Sequence, residues 1–422
     1  MNQRRGQHKS PIVSARVERE APVGHPGPGR PERVRFVRAG PAMKVAVIAS
    51  YAPSLLNFRG PMIRDMIRAG HEVFCLAPDI DADVDQGLRD LGVTPVTIPL
   101  ARTGLNPFRD FGSILAMYRA LRNVRPGATF AYTIKPVIYG SLAAWLARIP
   151  ARFSMITGLG YAFGQGQGVR LLVSALARFL YRLALSHNTA IFFQNPDDQA
   201  LFSSVGIVRQ GQALIMTNGS GVDLDRYVQA TIPTDRPVFL CLSRLLKDKG
   251  VREFVEASAL LKTKYPQVRF RLVGPHDPGP DSVEEDVVGE WRRQGQVELP
   301  GPVADVRPEL TACSVYVLPS YREGTPRSVL EAMSTGRAVV TTDAPGCRET
   351  VQPGRNGFLV PARNTQALAE AMERFILEPG LIVSMGREGR ALAEEKYDVR
   401  KVNALILTTM GLIGNRQSTT PD

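Results

Sequence analysis

The chain of 422 residues predicts an α/β protein with two Rossmann-like, doubly wound parallel sheets facing each other across a cleft. Three observations carry that expectation. Short apolar runs of strand length alternate with helical stretches from 43 to about 225, and the same alternation resumes from 237 to about 396. A Pro-flanked segment with Pro233 and Pro237 separates the two series. The composition, 44% hydrophobic and 22% charged, is that of an ordinary globular chain with room for two domains. Sheets of this kind hold ligands at the C-terminal ends of their strands.

In chain order, residues 1–42 form a basic leader. They carry nine Lys/Arg against three acidic residues, with repeated Pro-Gly and almost no apolar periodicity, so they lack the surface to order themselves. Met43 then starts an apolar run abruptly, as an initiator would; a basic tail for a membrane or nucleic acid is the other reading of the leader. Strands are expected at 44–50, 72–77, 94–98, 128–132, 152–156, 189–193 and 213–216. Helices lie between them at 60–69, 107–124, 136–147, 165–186 and 196–205. The linker is 226–236. The second series has strands near 237–242, 268–273, 297–299, 314–318, 338–341 and 357–360, and a last helix covers 398–414, before a tail at 415–422. The best candidate for a membrane span, 171–186, is broken by Arg178 and Arg182. The four cysteines have no metal spacing and read as small core residues in a reducing compartment.

The densest chemistry lies between 317 and 351. An apolar strand ends near Leu318, a polar loop carries Glu323, and a helix opens at Pro326, where proline suits the first turn. Glu331 follows about a turn and a half inside that helix. Between the two carboxylates, the backbone N–H groups of Gly324, Thr325, Arg327 and Ser328 surround a helix N-terminus, a natural anion site. Carboxylates on both sides of such a site suit a phosphate with hydroxyl-rich groups at each end, the layout of a nucleotide diphosphate sugar. A helix cap at Glu323 and a solvated face at Glu331 are the alternatives. Upstream, the strand ending at Leu242 is followed by Ser243-Arg244 and then Lys249-Gly250. This places a guanidinium fork and a point charge where phosphate oxygens would lie; ordinary surface charge is the alternative.

These residues together resemble the donor-binding signature of retaining glycosyltransferase family four, which has two glutamates eight positions apart between such strands. The flanking Pro319-Ser320, Glu323-Gly324 and Leu330-Glu331-Ala332 pairs fit as well, and Arg244 with Lys249-Gly250 matches the family's diphosphate clamp. The first half is similar to a narrower set of bacterial transferases that extend a sugar linked to polyprenyl diphosphate. The matching motifs are Asn57-Phe58-Arg59-Gly60, Arg102 to Phe108, Tyr132 to Pro136, Thr157 to Gly160 and Phe193 to Asp197. The resemblance covers nearly all of 43–414.

It implies the GT-B fold, with 43–225 as the acceptor-binding domain, 237–397 as the nucleotide-sugar-binding domain, and the 398–414 helix crossing back onto the first. It implies a hexosyltransferase acting with retention, without cofactor or metal, on a nucleotide-sugar donor, taken as UDP-linked, and a lipid-linked saccharide acceptor. Glu323 would be catalytic beside the donor sugar. Arg244, Lys249, Gly324, Thr325, Pro326, Arg327 and Glu331 would bind the donor, with Glu331 on the ribose. Asn57, Arg59, Lys135, Thr157 and Gly158 would serve the acceptor. Many members have a histidine where Thr157-Gly158 stands; its absence leaves the acceptor-side helper unassigned.

Charge adds a location. Residues 91–196 hold eleven Lys/Arg and a single acidic residue, Asp110, whereas 226–422 are balanced at 26 against 25. Basic residues among leucines on the 165–186 helix suit an anionic membrane surface, here the inner face of the cell membrane, and no nucleic-acid motif appears. The rival readings are a nucleotide-sugar 2-epimerase on the same fold, a non-enzymatic sugar-nucleotide-binding protein, and a dinucleotide oxidoreductase. The last would need a Gly-x-Gly-x-x-Gly fingerprint that is missing after the first strand.

Overall fold

The structure is a computed structural model, and it describes residues 40–101, 106–158, 169–233, 236–276, 279 and 281–414. The leader up to residue 39, the tail at 415–422 and parts of the Arg102 and Gly160 motifs lie outside the described residues.

The first parallel sheet has seven strands: β1 (Lys44–Ile48), β2 (Glu72–Ala77), β3 (Thr94–Thr97), β4 (Ala128–Tyr132), β5 (Ala151–Ile156), β6 (Ala190–Phe193) and β7 (Leu214–Met216). Their spatial order is β3-β2-β1-β4-β5-β6-β7. The second parallel sheet has six: β8 (Val238–Leu242), β9 (Arg269–Val273), β10 (Glu298–Gly301), β11 (Val315–Leu318), β12 (Ala338–Thr342) and β13 (Gly357–Val360), in the order β10-β9-β8-β11-β12-β13. The expected strands are therefore all present. Two helices, Pro53–Asn57 and Ala82–Asp90, had not been expected, and 136–147 divides into a π-turn at Pro136–Gly140 and a helix at Ser141–Leu146.

Most strands read as unbroken apolar runs because both sheet faces are covered. On the first sheet, Val45, Val47, Phe130 and Phe192 face one apolar cluster, while Ala46, Ile48, Ile191 and Phe193 face another. The alternation follows from the two-residue repeat of a strand. The second sheet is enclosed by a single cluster that includes Phe239, Phe270, Tyr316 and Met372.

The strand orders reverse between β1 and β4 in one sheet and between β8 and β11 in the other. At such a switch point the connecting loops diverge to opposite faces and open a crevice. Residues following β1 and β4 line one wall of a common cleft, and residues following β8 and β11 line the other.

After the last strand the chain returns to the first sheet. Val222 accepts from the backbone N–H of Val399 at 3.0 Å, and the following helix, Val399–Thr409, buries Val402, Ile406 and Leu407 in the first sheet's core. Its Asn403 donates to Asp65 of the helix Gly60–Arg68 at 2.8 Å. This is the expected crossing helix, shorter than 398–414 at its C-terminal end. Ile406 is fully buried, so Ile406→Ala should cost about 2–5 kcal/mol of unfolding free energy, read as a lower denaturation midpoint in urea. An unchanged midpoint would mean that the helix contributes nothing to the core.

Candidate active site

The cleft encloses a cavity of about 620 Å³. Its second-sheet wall is built from two strand ends. β8 delivers Ser243 and Arg244, and a short 3₁₀ turn, Lys247–Lys249, brings Lys249 back toward the end of β11. After β11, the loop carries Glu323, and the helix Arg327–Ser334 follows Pro326, one residue later than expected.

Lys249 and Glu323, assigned separate roles from the sequence, form one unit. The Lys249 Nζ donates to Glu323 Oε1 at 2.7 Å, and Ser320 Oγ donates to the same oxygen at 2.9 Å. Burial alone would lower the lysine pKa, but Glu323 and Asp248 outweigh it and hold Lys249 above its ordinary value. Arg244 lies close enough to oppose that rise, so two cations converge on this corner of the cavity.

Glu331 occupies the other end of the wall. Arg327 Nε donates to its Oε1 at 3.0 Å, and the Tyr227 hydroxyl lies near enough to favour its charged form. Burial nevertheless pushes the Glu331 carboxyl above the usual range, with Arg327 and Tyr227 only partly opposing. Glu331 is therefore not part of a solvated face. Tyr227 sits in the segment expected to be a linker, and its role could not have been read from local spacing.

The loop between the two glutamates rests on the first-sheet half. Asn195 Nδ2 donates to the Gly324 carbonyl at 2.8 Å and to the Glu323 carbonyl at 3.3 Å, and Thr325 Oγ1 donates to Gln194 O at 3.0 Å. A Cβ on Gly324 would fall 2.4 Å from both Thr157 O and the Gln194 side-chain oxygen, so only glycine allows this approach. Opposite it, Gly158 holds φ at +115°, and a Cβ there would lie 3.2 Å from the Gly324 nitrogen. Two ion pairs flank the contact: Arg322 with the buried Asp198, and Arg348 Nη1 with Asp197 at 2.7 Å. The Gln194-Asn195-Pro196-Asp197 motif thus holds the Glu323 loop, a contact that its sequence alone did not reveal.

The acceptor-side residues divide. Asn57, Arg59 and Thr157 line the cavity, and the Asn57 carbonyl accepts from Arg327 Nη1. Gly158 supports the wall from behind. Lys135 is placed elsewhere: it is buried, with Nζ 2.8 Å from Asp110 Oδ1, and it does not line the cleft. Its predicted acceptor contact is corrected on that ground, because the chain turns after β4 and carries the side chain under the helix Pro107–Val124.

Two Rossmann-like sheets, a cleft at both switch points and a C-terminal helix returning to the first sheet define the GT-B class of glycosyltransferases. Two family models match the chain: "Glycosyl transferase 4-like domain" over residues 60–219 and "Glycosyl transferases group 1" over residues 236–378. The chain belongs to this family and is a glycosyltransferase.

It is 28% identical over 359 residues to the N,N'-diacetylbacillosaminyl-diphospho-undecaprenol alpha-1,3-N-acetylgalactosaminyltransferase of Campylobacter jejuni, covering 82% of this chain and 92% of the relative. It is 23% identical over 336 residues to the UDP-Gal:alpha-D-GlcNAc-diphosphoundecaprenol alpha-1,3-galactosyltransferase of Escherichia coli, covering 74% and 85%. Among solved structures, sucrose-phosphate synthase from Thermosynechococcus elongatus superposes with a TM-score of 0.71 at 18% identity, over 86% of this chain and 97% of that one.

The raised pKa of Glu331 has a consequence for stability. The folded state binds its proton more tightly than the unfolded state does. Stability from this group is therefore greatest below the ordinary carboxylate pKa and is lost as pH rises through the raised folded value. Without ligand, the melting temperature of Glu331→Gln relative to wild type should climb as pH increases from about 4 toward neutrality and level off above that window. Thermal scans at several pH values test this, and a constant difference would refute it.

Proposed function

We propose that the protein transfers a hexose or N-acetylhexosamine, with retention of configuration, from a UDP-sugar to a saccharide carried on polyprenyl diphosphate, in the assembly of a surface polysaccharide or glycan. The observation that carries this is the arrangement of the second-sheet wall: two cations at one end, a buried carboxylate at the other, and a helix N-terminus between them. The donor diphosphate lies against Arg244, Lys249 and the N–H groups from Gly324 to Ser328. Glu331 accepts hydrogen bonds from the ribose hydroxyls. Glu323, beside Lys249, orients the donor sugar. Both relatives named above act, by their names, on a sugar linked to undecaprenyl diphosphate, and one uses UDP-galactose, which supports the donor and acceptor classes.

In the reaction, the bond from the anomeric carbon to the diphosphate oxygen breaks as the acceptor hydroxyl approaches on the same face. The hydroxyl proton passes to the departing diphosphate oxygen. Negative charge grows on the diphosphate, and Arg244 and Lys249 stabilise it where it forms. Positive charge grows on the sugar ring beside the Glu323 carboxylate. Lys249 therefore serves two partners, holding Glu323 in place before the donor arrives and the diphosphate afterwards.

The donor assignment is tested by variants that separate binding from chemistry. Arg244→Ala should weaken UDP about ten- to a hundredfold by calorimetry, the loss of a charge-assisted contact worth roughly 1.5–3 kcal/mol. Glu331→Gln should chiefly raise the donor KM, since it removes a contact made equally in ground and transition states. Glu323→Gln should chiefly lower kcat, since its charge matters only as the bond breaks. Wild-type UDP affinity in Arg244→Ala, or wild-type turnover in Glu323→Gln, would overturn these roles.

The acceptor lipid requires a membrane surface, and the first half offers one. Among the described residues no helix is long and apolar enough to cross a membrane. Yet Phe108 is 90% exposed and Phe111 69% on the helix Pro107–Val124, and Phe179 is 63% exposed beside Arg178 and Arg182 on the helix Val169–Leu185. Both helices cover the same face of the first sheet. Exposed rings beside arginines suit the boundary between lipid headgroups and acyl chains. The double variant Phe108→Ser/Phe111→Ser should sediment less with phosphatidylglycerol vesicles while keeping its UDP affinity; undiminished sedimentation would move the docking surface elsewhere.

A further inference from the structure

Arg59 is 2% exposed, yet it lines the cleft. Its Nη2 lies 2.8 Å from Met155 Sδ, and its guanidinium carbon is 4.9 Å from the Tyr132 ring centre and 5.6 Å from that of Phe130. Its Nε has no hydrogen-bond partner, and no ion pair to it is found among the described residues. A guanidinium taken out of water needs a carboxylate or a full set of acceptors. Two aromatic faces and a thioether return only part of that cost.

Tyr132 supplies no counter-charge, because burial holds its phenol protonated. Burial, with a smaller contribution from Arg327 on the opposite wall, pulls Arg59 down to about 10. At neutral pH it stays charged, without a counter-ion.

The carboxylates of the cleft make the imbalance directional. Asp305, Glu323 and Glu331 all belong to the second-sheet wall, and among the described residues the first-sheet wall has none. On that wall Ser54 Oγ donates to the Tyr51 carbonyl and lies 2.8 Å from Tyr132 Oη, which commits both protons, whereas Ser50 Oγ and Thr133 Oγ1, 2.8 Å apart, share one hydrogen bond and keep one hydroxyl proton to offer. A buried cation without a counter-ion on a cavity wall that also carries an uncommitted hydroxyl proton is a site short of an anion with several oxygens. The donor diphosphate is already assigned to cations on the other wall.

We propose that Arg59 and the hydroxyl pair of Ser50 and Thr133 form a second anion subsite, on the first-sheet wall, that takes the diphosphate of the lipid-linked acceptor. This rests on the transferase reading above and names the acceptor group recognised. The diphosphate then supplies the counter-charge that the folded protein withholds from Arg59. Acceptor selection follows from the chemistry: a saccharide on a neutral aglycone leaves the guanidinium unpaired.

The test uses Arg59→Met, which keeps a long apolar side chain, and Arg59→Lys, which keeps the charge without the fork. Two acceptors are compared, a saccharide on short-chain polyprenyl diphosphate and the same saccharide on a neutral alkyl group. Arg59→Met should raise KM for the diphosphate acceptor at least tenfold and leave KM for the neutral one within twofold, with Arg59→Lys between. UDP affinity should stay within twofold, and the melting temperature of Arg59→Met without ligand should equal or exceed that of wild type.

Equal loss with both acceptors, or a lower melting temperature with unchanged KM, would make Arg59 structural and overturn the proposal. Loss of UDP affinity would assign the site to the donor diphosphate and overturn it equally. Should the wild type use neither acceptor, the proposed acceptor class fails and thermal scans with saturating UDP decide the subsite. Inorganic pyrophosphate that raises the melting temperature of wild type but not of Arg59→Met upholds an anion subsite, and the absence of that difference overturns it.

Discussion

The contact between Gly324 and the ends of β5 and β6 is the constraint on which the site depends. It brings the loop carrying Glu323 within van der Waals reach of Thr157 and Gln194. Each half of the molecule has its own core and its own switch point, and neither makes a complete site. Asn195 spans the seam by donating to two backbone carbonyls of the loop, and the Asp198–Arg322 and Asp197–Arg348 pairs close around it. These bonds fix the loop backbone without using the Glu323 carboxylate, which stays free to bond Lys249 and Ser320. The geometry of the Glu323 corner is set by the seam and its charge by the cleft.

What was legible in the sequence follows the range of the interactions involved. The strands were legible because their apolar character is local and both faces are buried. The pair Glu323 and Glu331 was legible because one strand, loop and helix place both. Arg244 and Lys249 likewise follow a single strand end. What escaped depends on partners far away in the chain. Lys135 shares a motif with cleft residues, yet its position is decided by Asp110, 25 residues earlier. Tyr227 reaches Glu331 across about a hundred residues, and Asn195 reaches Gly324 across 129. No periodicity encodes such pairings. The helices Pro53–Asn57 and Ala82–Asp90 were missed for a different reason: the first is a single turn or so, and the second is rich in aspartate, which favours caps over helix interiors.

Asp110 also shows how charge is allocated. It is the single acidic residue between 91 and 196, and it is spent inside the fold on Lys135. The remaining basic residues of that stretch have no acidic neighbour in sequence to compensate them, so the first half keeps a positive field that the balanced second half lacks.

The buried ionic groups of the cleft differ in how completely they are compensated. Lys249 and Glu323 satisfy each other, so their burial is largely offset. Glu331 is only partly offset, as its raised pKa shows, and the Arg59 Nε has no partner at all. A core selected for stability alone would pair these groups or replace them with apolar ones. On the cavity walls, a ligand with hydroxyls on one side and phosphates on the other would complete the compensation of Glu331 and Arg59. Binding free energy is then drawn partly from relieving that deficit, so affinity for substrate and marginal stability of the empty cleft share one physical origin.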